Sequence, residues 1–367
     1  MAGLDETPRS DRVAIAFFGL RNAGKSTLIN ELTRKNVAIV SDVPGTTTDP
    51  VSKAMEISPL GACLITDTAG LDDEGELGKM RVEKSLAVLA AADVAVWVDD
   101  GRESVWRQTV EEECRRRNVA FIFHRREEGV EKLKERICAL KLSDREPGLL
   151  EGLVERGERV LCVCPIDGSA PKGRLILPQV QLIRECLDRG VWVEVCQPSQ
   201  LRECGGKGKW DLVVTDSQAF AEVDAALPAS RRLTSFSILF ARRKGDLEAY
   251  IEGLSHIRDL KDGDKVLVLE GCAHHRQCDD IGTVKIPKAI RKLSGADVEF
   301  VFDRTADSVD DCRLVVQCGS CMLTRREVLR RIEQARAAGI PVVNYGMVLA
   351  KAAGLDKSFD FASRPAR

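Results

Sequence analysis

The chain of 367 residues lacks the features that mark several special classes of protein. No apolar run approaches the roughly 18 residues of a membrane-spanning helix. The opening residues include acidic side chains where a signal peptide needs a basic region and an apolar stretch. A net charge of −2 gives no general excess of positive charge for nucleic acid. We therefore expect a cytoplasmic protein with no membrane contact and no nucleic acid partner.

The remaining composition is that of an ordinary globular protein, with 44% hydrophobic and 31% charged residues. At roughly 100 to 200 residues per domain, the chain has room for two or three domains. We predict an α/β fold with three domains, over residues 1–150, 151–246 and 247–367. Most of the thirteen cysteines stand singly in apolar segments, where a reduced cysteine is a small buried hydrophobe.

A phosphate-binding loop lies near the N-terminus. The predicted strand Val13–Phe18 runs into a G-x-x-x-x-G-K-S sequence, and a predicted helix follows from Ser26 to about Thr33. In this context backbone N–H groups surround a phosphate, Lys25 reaches the terminal phosphates and Ser26 can bind magnesium. The predicted nucleotide-binding residues of this loop are Gly19, Asn22, Ala23, Gly24, Lys25, Ser26 and Thr27.

Two later segments have the pattern of GTPase switches. The polar loop Ser41–Asp49 contains Thr46 and Thr47, which are expected to contact the γ-phosphate and its magnesium ion. The predicted strand Cys63–Asp67 ends in a carboxylate, and Gly70 follows where a glycine can sense the same phosphate. Thr47 is the predicted second magnesium ligand after Ser26.

Asn22 and the Gly45-Thr46-Thr47 run resemble the translation-factor-related class of GTPases, which includes the tRNA-modifying GTPases. This resemblance implies that Asn22 helps to bind a potassium ion that replaces an arginine finger. Leu71 stands where Ras-like proteins have a glutamine that orients water, so slow, potassium-stimulated hydrolysis is expected.

The guanine-recognition motif departs from the expected pattern. Such GTPases follow a strand with Asn-Lys-x-Asp, whereas here the predicted strand Ala120–Phe123 runs into His124-Arg125-Arg126-Glu127. Glu127 is the candidate carboxylate for the base. In the alternative interpretation, this charged cluster begins a helix on a domain truncated after residue 123, and the GTPase is degenerate.

The middle segment predicts an α/β domain without a catalytic constellation. Its predicted strands are 160–164, 191–196, 211–215 and 236–240, with helices over 178–189 and 217–226. A domain with an apolar core but no candidate catalytic residues favours a dimerisation role, so a homodimer is expected. A hinge is predicted at Arg242–Gly245.

Three cysteines near the C-terminus form a predicted metal site. The predicted strand Lys265–Leu269 leads to Cys272, and the predicted strand Arg313–Val316 leads to Cys318 and Cys321. Parallel βαβ units place both loops at one edge of a sheet, where open α/β sheets bind ligands.

From the residues alone, this site could be a zinc site, an iron–sulfur cluster site or a redox dithiol. Zinc would add His274 or His275 to close a tetrahedral site. An iron–sulfur cluster would leave one iron to a histidine, to Glu270 or to an outside ligand. A redox dithiol would use only Cys318 and Cys321.

The domain order, with Cys-x-His-His followed by Cys-Gly-x-Cys, resembles the HydF family of FeFe-hydrogenase maturation GTPases. The resemblance extends to long runs at 170–180, 215–218, 279–287 and 339–346. It implies a homodimer whose Rossmann-like C-terminal domain carries a 4Fe-4S cluster on Cys272, Cys318 and Cys321, with His274 or His275 near the labile fourth position.

The same resemblance implies a scaffold and carrier. It would receive a di-iron precursor made by two radical-SAM maturases and deliver it to apo FeFe-hydrogenase, with GTP gating partner exchange. The alternative is a tRNA-modification or ribosome-associated GTPase with a structural zinc site.

Overall fold

The computed structural model describes residues 11–35, 41–43, 51–72, 75–140, 147–166, 173, 175–203, 208–270, 280–303, 309–321, 323–356 and 358. The chain folds as two compact units, 1–145 and 146–367. No helix within these described ranges is long and apolar enough to cross a membrane.

The first unit is built on one six-stranded sheet. Its strands are β1 (Val13–Phe18), β2 (Ser41–Val43), β3 (Val51–Ile57), β4 (Gly61–Asp67), β5 (Val94–Asp99) and β6 (Ala120–Arg125), in the order β2-β3-β4-β1-β5-β6. β3 is antiparallel to both neighbours, and the other pairs are parallel. The helices are α1 (Lys25–Lys35), α2 (Gly75–Leu89), α3 (Val105–Arg116) and α4 (Gly129–Cys138).

Helices cover both faces of this sheet. On one face, α1 and α4 bury apolar side chains such as Leu28 and Leu133 against the strands. On the other face, α2 and α3 do the same with side chains such as Leu89 and Val110. Because both faces are covered, the central strands are continuous runs of Val, Ile, Phe and Ala, as buried parallel strands require. The carboxyl ends of β1, β4, β5 and β6 therefore meet at one edge, where their loops can share a ligand.

The second unit contains two four-stranded parallel sheets. The first has β7 (Arg159–Val163), β8 (Trp192–Cys196), β9 (Leu212–Thr215) and β10 (Leu233–Ser235), in the order β10-β9-β7-β8. Its helices are α5 (Leu177–Arg189), α6 (Pro198–Glu203), α7 (Phe220–Ala226) and α8 (Phe236–Lys244).

The second of these sheets has β11 (Lys265–Leu269), β12 (Glu299–Asp303), β13 (Leu314–Gln317) and β14 (Val342–Asn344), in the order β12-β11-β13-β14. Its helices are α9 (Leu247–His256), α10 (Ile286–Ser294), α11 (Arg325–Ala337) and α12 (Tyr345–Ala352). The predicted strands that precede the two cysteine loops are therefore adjacent and parallel.

One predicted strand is wrong. Residues 236–240 begin α8, and the strand is the shorter β10 before them. Ser235 caps the helix because its Oγ accepts a hydrogen bond from Ile238 N at 3.3 Å. The first part of the helix, residues 236–241, is apolar except for Ser237, and the apolar residues are buried. Such a run does not distinguish a buried helix from a buried strand.

The predicted hinge at Arg242–Gly245 is also wrong. Arg242, Arg243 and Lys244 form the last turn of α8, and Lys244 is 0% exposed. One apolar core continues through the unit, from Leu161 and Val213 in the first sheet to Val266 and Val315 in the second. The two sheets are therefore joined by packing at this point.

Candidate functional site

The turn between β1 and α1 has the backbone of a phosphate-binding loop. Gly19, Asn22 and Gly24 have positive φ angles of 154°, 61° and 94°. A Cβ on Gly19 would lie 2.7 Å from Val98 O, so only glycine fits beside β5. Ala23 is buried within the turn, whereas Thr27 is exposed in the first turn of α1.

Lys25 directs its ammonium group into this loop. Its Nζ donates to Gly19 O at 3.3 Å and to Leu20 O at 2.9 Å, and the residue is 7% exposed. Burial lowers the pKa of Lys25, and the carboxylates of Asp67 and Asp72 oppose part of this effect. A cation held by loop carbonyls beside a helix N-terminus is positioned to bind a phosphate.

Ser26 and Asp67 form the candidate magnesium site. Ser26 Oγ donates to Asp67 Oδ2 at 2.5 Å, while Asp67 Oδ1 is buried and has no hydrogen-bond partner in the described part of the chain. Burial raises the pKa of Asp67. A buried oxygen in need of a partner, next to a hydroxyl, suits a hard cation such as magnesium. Thr46 and Thr47 lie outside the described residues.

The segment after β4 packs on the phosphate loop. A Cβ on Gly70 would lie 2.7 Å from Arg21 N, and Leu71 N donates to Gly19 O at 3.2 Å. The Leu71 side chain is 1% exposed and belongs to the apolar core beneath α2 and α3. As a buried apolar side chain, it cannot hydrogen-bond a water molecule.

A cavity of about 1070 Å³ opens at the ends of β5 and β6. It is lined by Asp99, Asp100, Gly101, Arg102, Glu103, Ser104, Val105, Arg107, Gln108, Phe123, Arg125, Arg126 and Glu127. Arg126 connects the cavity to the phosphate loop, since its Nε lies 3.0 Å from where a Cβ on Gly24 would be. The cavity is large enough for a nucleoside.

In the altered base motif, His124 lies in the core, whereas Arg125, Arg126 and Glu127 line this cavity. His124 is fully buried, and neither ring nitrogen has a hydrogen-bond partner among the described residues. Burial lowers the pKa of His124, and the carboxylate of Glu128, whose Oε2 lies 3.6 Å from Nδ1, opposes part of this effect. Glu128 bonds to Lys132 and Arg136, which lower its pKa to about 2. Glu127 is exposed and lines the cavity, where a carboxylate could meet a base.

Cys318 and Cys321 lie on one short loop after β13, and both are partly buried. Ser320, between them, has a φ of 55°, and its N–H points to Cys318 Sγ at 3.4 Å. Donors around sulfur stabilise the thiolate that an iron–sulfur cluster or a zinc ion requires. The loop geometry therefore fits a soft metal.

Neighbouring amide side chains hold this loop. Gln317 is fully buried, and its Nε2 donates to Ser320 Oγ at 3.0 Å. Asn344, at the end of β14, donates from Nδ2 to Cys318 O at 3.3 Å. The sequence analysis did not identify either amide, although each ends a buried strand at the edge where a ligand is expected.

The third predicted cysteine, Cys272, lies outside the described residues, as do His274 and His275. The chain leaves β11 at Leu269, which pairs with Gln317, and Cys318 N donates to Leu269 O at 3.1 Å. The segment that carries Cys272 thus starts beside the Cys318 loop. Within the described ranges alone, no group of three or more His, Cys, Asp or Glu side chains could hold a metal.

Lys244 was missed by the sequence analysis, which placed it in a hinge. Its Nζ donates to Cys321 O at 3.2 Å and to Leu323 O at 2.9 Å, and it lies 5.4 Å from the centre of the Phe240 ring. Arg325 adds a second link by donating to Arg243 O at 3.1 Å. The end of α8 therefore fixes the backbone at and after Cys321.

Comparison with protein families gives three matches that follow one another along the chain. Residues 14–127 match a 50S ribosome-binding GTPase, residues 149–245 the hydrogen maturase F dimerization domain, and residues 248–360 the hydrogen maturase F tetramerization domain. The two hydrogen maturase F domains together span more than half of the chain.

The curated relatives match the nucleotide unit. GTPase Der of Lachnospira eligens is 34% identical over 132 residues, 35% of this chain and 28% of Der. The tRNA modification GTPase MnmE of Thermoanaerobacter sp. is 37% identical over 113 residues, 30% of this chain and 24% of MnmE. The chain thus spans about a quarter of the length of these relatives.

Two solved structures are also similar. Era in complex with MgGDPNP and a segment of 16S ribosomal RNA has a TM-score of 0.24 and 17% identity. The aligned region covers 50% of this chain and 92% of the Era chain. The G domain of the T. maritima FeoB iron transporter has a TM-score of 0.20 and 19% identity, and covers 35% of this chain and 98% of its own.

We predict that Lys244→Met lowers the free energy of unfolding by about 2 kcal/mol, because two partly buried carbonyls lose a buried donor. Urea denaturation followed by circular dichroism measures the change. Lys292→Met is the matched control, since Lys292 Nζ donates to Ala352 O at 2.8 Å at an exposed site. Equal decreases in the free energy of unfolding in the two variants would show that the burial of Lys244 does not contribute to stability.

We predict that Asp67→Asn weakens magnesium-dependent nucleotide binding by about tenfold, or about 1.4 kcal/mol. Because the pKa of Asp67 is raised by burial, protons should compete with magnesium in the wild type at a pH above the usual range of an aspartate. Titration of a fluorescent nucleotide with magnesium at several pH values measures both effects. Exposed Glu31→Gln on α1 is the control and should change neither.

Proposed function

Because the chain belongs to the hydrogen maturase F family, we propose that it is a GTPase that acts as scaffold and carrier in FeFe-hydrogenase maturation. In this proposal it holds a 4Fe-4S cluster, receives a di-iron precursor from radical-SAM maturases and delivers it to apo-hydrogenase in the cytoplasm. The observation that supports this most is the pair of thiols at the carboxyl edge of a sheet, fixed by a buried lysine from the preceding domain.

The nucleotide unit supplies the switch in this proposal. The loop from Gly19 to Thr27 binds the phosphates of GTP, and Lys25 neutralises the terminal ones. Ser26, Asp67 and Thr47 hold the magnesium ion, and Thr46 and Gly70 contact the γ-phosphate. The orphaned Oδ1 of Asp67 supports this assignment, since a cation would satisfy it.

Base recognition is assigned to the cavity beside the phosphate loop. Glu127 is its candidate acceptor for the guanine N–H groups, and Phe123 offers a flat apolar surface. His124 is withdrawn into the core and makes no contact with the base. The altered motif is therefore reduced to one carboxylate, so weak selectivity for guanine is expected.

Hydrolysis is expected to be slow. Leu71 is buried, so this position cannot orient the attacking water. Asn22 is exposed on the loop in the left-handed conformation and is the proposed potassium ligand. A bound potassium ion would supply the positive charge of an arginine finger. Stimulation of GTP hydrolysis by potassium over sodium would test this assignment.

The cysteine loop supplies the cluster site. Cys272, Cys318 and Cys321 are the proposed ligands, and His274, His275 or Glu270 lies near the fourth position. A 4Fe-4S cluster with one iron not bound by cysteine offers an exchangeable coordination position. An open position suits temporary binding of a cargo, whereas a structural zinc site is closed.

A homodimer is proposed through the edge of the first sheet of the second unit. Strand β8 lies at that edge, with Trp192 70% exposed and Val195 48% exposed. The other edge, β10, is three buried residues long. An exposed apolar edge strand is a template for pairing with another strand, and this segment lies in the region that matches a dimerization domain.

The rival proposal is a tRNA-modification or ribosome-associated GTPase with a structural zinc ion. The MnmE match favours it, but only for the nucleotide unit. Metal analysis of anaerobically purified protein separates the two proposals. About four iron atoms and four sulfides per chain would support the cluster, and one zinc without iron would support the rival.

We predict that Cys318→Ala loses the reduced 4Fe-4S signal in electron paramagnetic resonance after anaerobic reconstitution. Cys312→Ala is the matched control, because Cys312 is buried in the apolar core and should leave the signal unchanged. A full signal in Cys318→Ala would contradict the ligand assignment.

We predict that Trp192→Lys converts the dimer to monomers in light scattering after size-exclusion chromatography, because a charge would be buried in the paired edge. Met80→Lys is the control, since Met80 is 53% exposed on α2 in the other unit. Dimers that persist in Trp192→Lys at micromolar concentration would place the interface elsewhere.

A further inference from the structure

The carboxylate of Asp72 lies on the phosphate loop in this structure. Arg21 N donates a short hydrogen bond to Asp72 Oδ1. Asp72 follows Gly70 and Leu71, which are themselves docked on the loop through the close approach of Gly70 to Arg21 and the bond from Leu71 N to Gly19 O. The loop thus binds an anion that belongs to its own chain.

Arg102 holds this arrangement from the other side. Its Nη1 lies 3.7 Å from Asp72 Oδ2, and its Nη2 donates to Arg21 O at 2.6 Å and to Asp100 Oδ2 at 2.6 Å. One guanidinium group therefore bridges the phosphate loop, the segment after β4 and the loop after β5. Asp72 is held in place by a backbone donor and by a cation.

Asp72 contacts the phosphate loop close to the ammonium group of Lys25. Backbone N–H groups of the phosphate loop and the ammonium of Lys25 are the groups that bind phosphates here. Leu71, the residue before Asp72, donates from its N–H to Gly19 O, the same carbonyl that accepts from Lys25 Nζ. A γ-phosphate bound by Lys25 would bring negative charge near the carboxylate, and a diphosphate lacks this charge.

We infer that Asp72 is a specificity-determining residue that disfavours a nucleoside triphosphate relative to a diphosphate. The γ-phosphate must displace the carboxylate from Arg21 N, so part of its binding free energy is used to move the Asp72 side chain off the loop. A diphosphate binds without this displacement. The inference rests on the proposed nucleotide site and deepens it, because it names how the third phosphate is sensed.

The test compares binding of a fluorescent GDP with that of a fluorescent, non-hydrolysable GTP analogue in the presence of magnesium. In Asp72→Asn the affinity for the triphosphate should rise about tenfold relative to the diphosphate, because the repulsion is removed. Asp72→Glu, which keeps the charge, should stay near the wild-type ratio. Both substitutions are at a partly exposed position, so the fold should be retained.

Glu31→Gln is the matched control, since it removes one exposed negative charge from the same unit away from the loop. A ratio that is unchanged in Asp72→Asn, or that shifts equally in Glu31→Gln, would overturn the inference and leave the nucleotide site intact. Wild-type protein that binds neither nucleotide would instead overturn the proposed GTPase function.

Discussion

The ammonium group of Lys244 is the contact on which the arrangement of the second unit depends. It is withdrawn completely from water, and it donates to the carbonyls of Cys321 and Leu323. Burying such a charge is costly unless every proton finds an acceptor. If the loop carbonyls moved away, the buried ammonium group would lose its acceptors. A shift of α8 would therefore also shift the cysteine loop. Asn344 and Gln317 add two further hydrogen bonds to the same loop.

The nucleotide unit is organised around a different constraint, the lack of space between strands and loops. Gly19 lies against β5 and Gly70 against Arg21 at distances that exclude a side chain. These contacts bring the ends of β1, β4 and β5 together, so that the hydroxyl of Ser26 meets the carboxylate of Asp67. They also allow the segment after β4 to rest on the phosphate loop. In the proposed nucleotide site, a third phosphate would act on a segment that is already in contact with the phosphate loop.

The sequence predicted the parts of this molecule that depend on local chemistry. The phosphate loop, its lysine and the strands before both cysteine loops follow from short patterns of glycine, charge and β-branched residues. The match to a dimerization domain confirmed the role predicted for the middle segment. The wrong predictions concern residues whose structure depends on packing between segments that are distant in sequence. Residues 236–240 form a helix because both sheets bury it, and Lys244 is buried because carbonyls nearly 80 positions away accept its protons. Neither fact has a local signal. The contact between Asp72 and Arg21 depends in the same way on the fold of the whole unit.

The left-handed turn at Ser320 has a consequence for how quickly a site of this kind can be filled and emptied. A non-glycine residue at a φ of 55° persists only where its surroundings hold it, and here Gln317, the Cys318 backbone and Lys244 of α8 supply hydrogen bonds to the loop. The entropy of ordering this loop has therefore been lost already during folding. Binding of a metal in the proposed site would not have to order this loop, and its release would not disorder it. In the proposed site, exchange would then depend on ligand substitution at the two thiols and would not require this loop to refold.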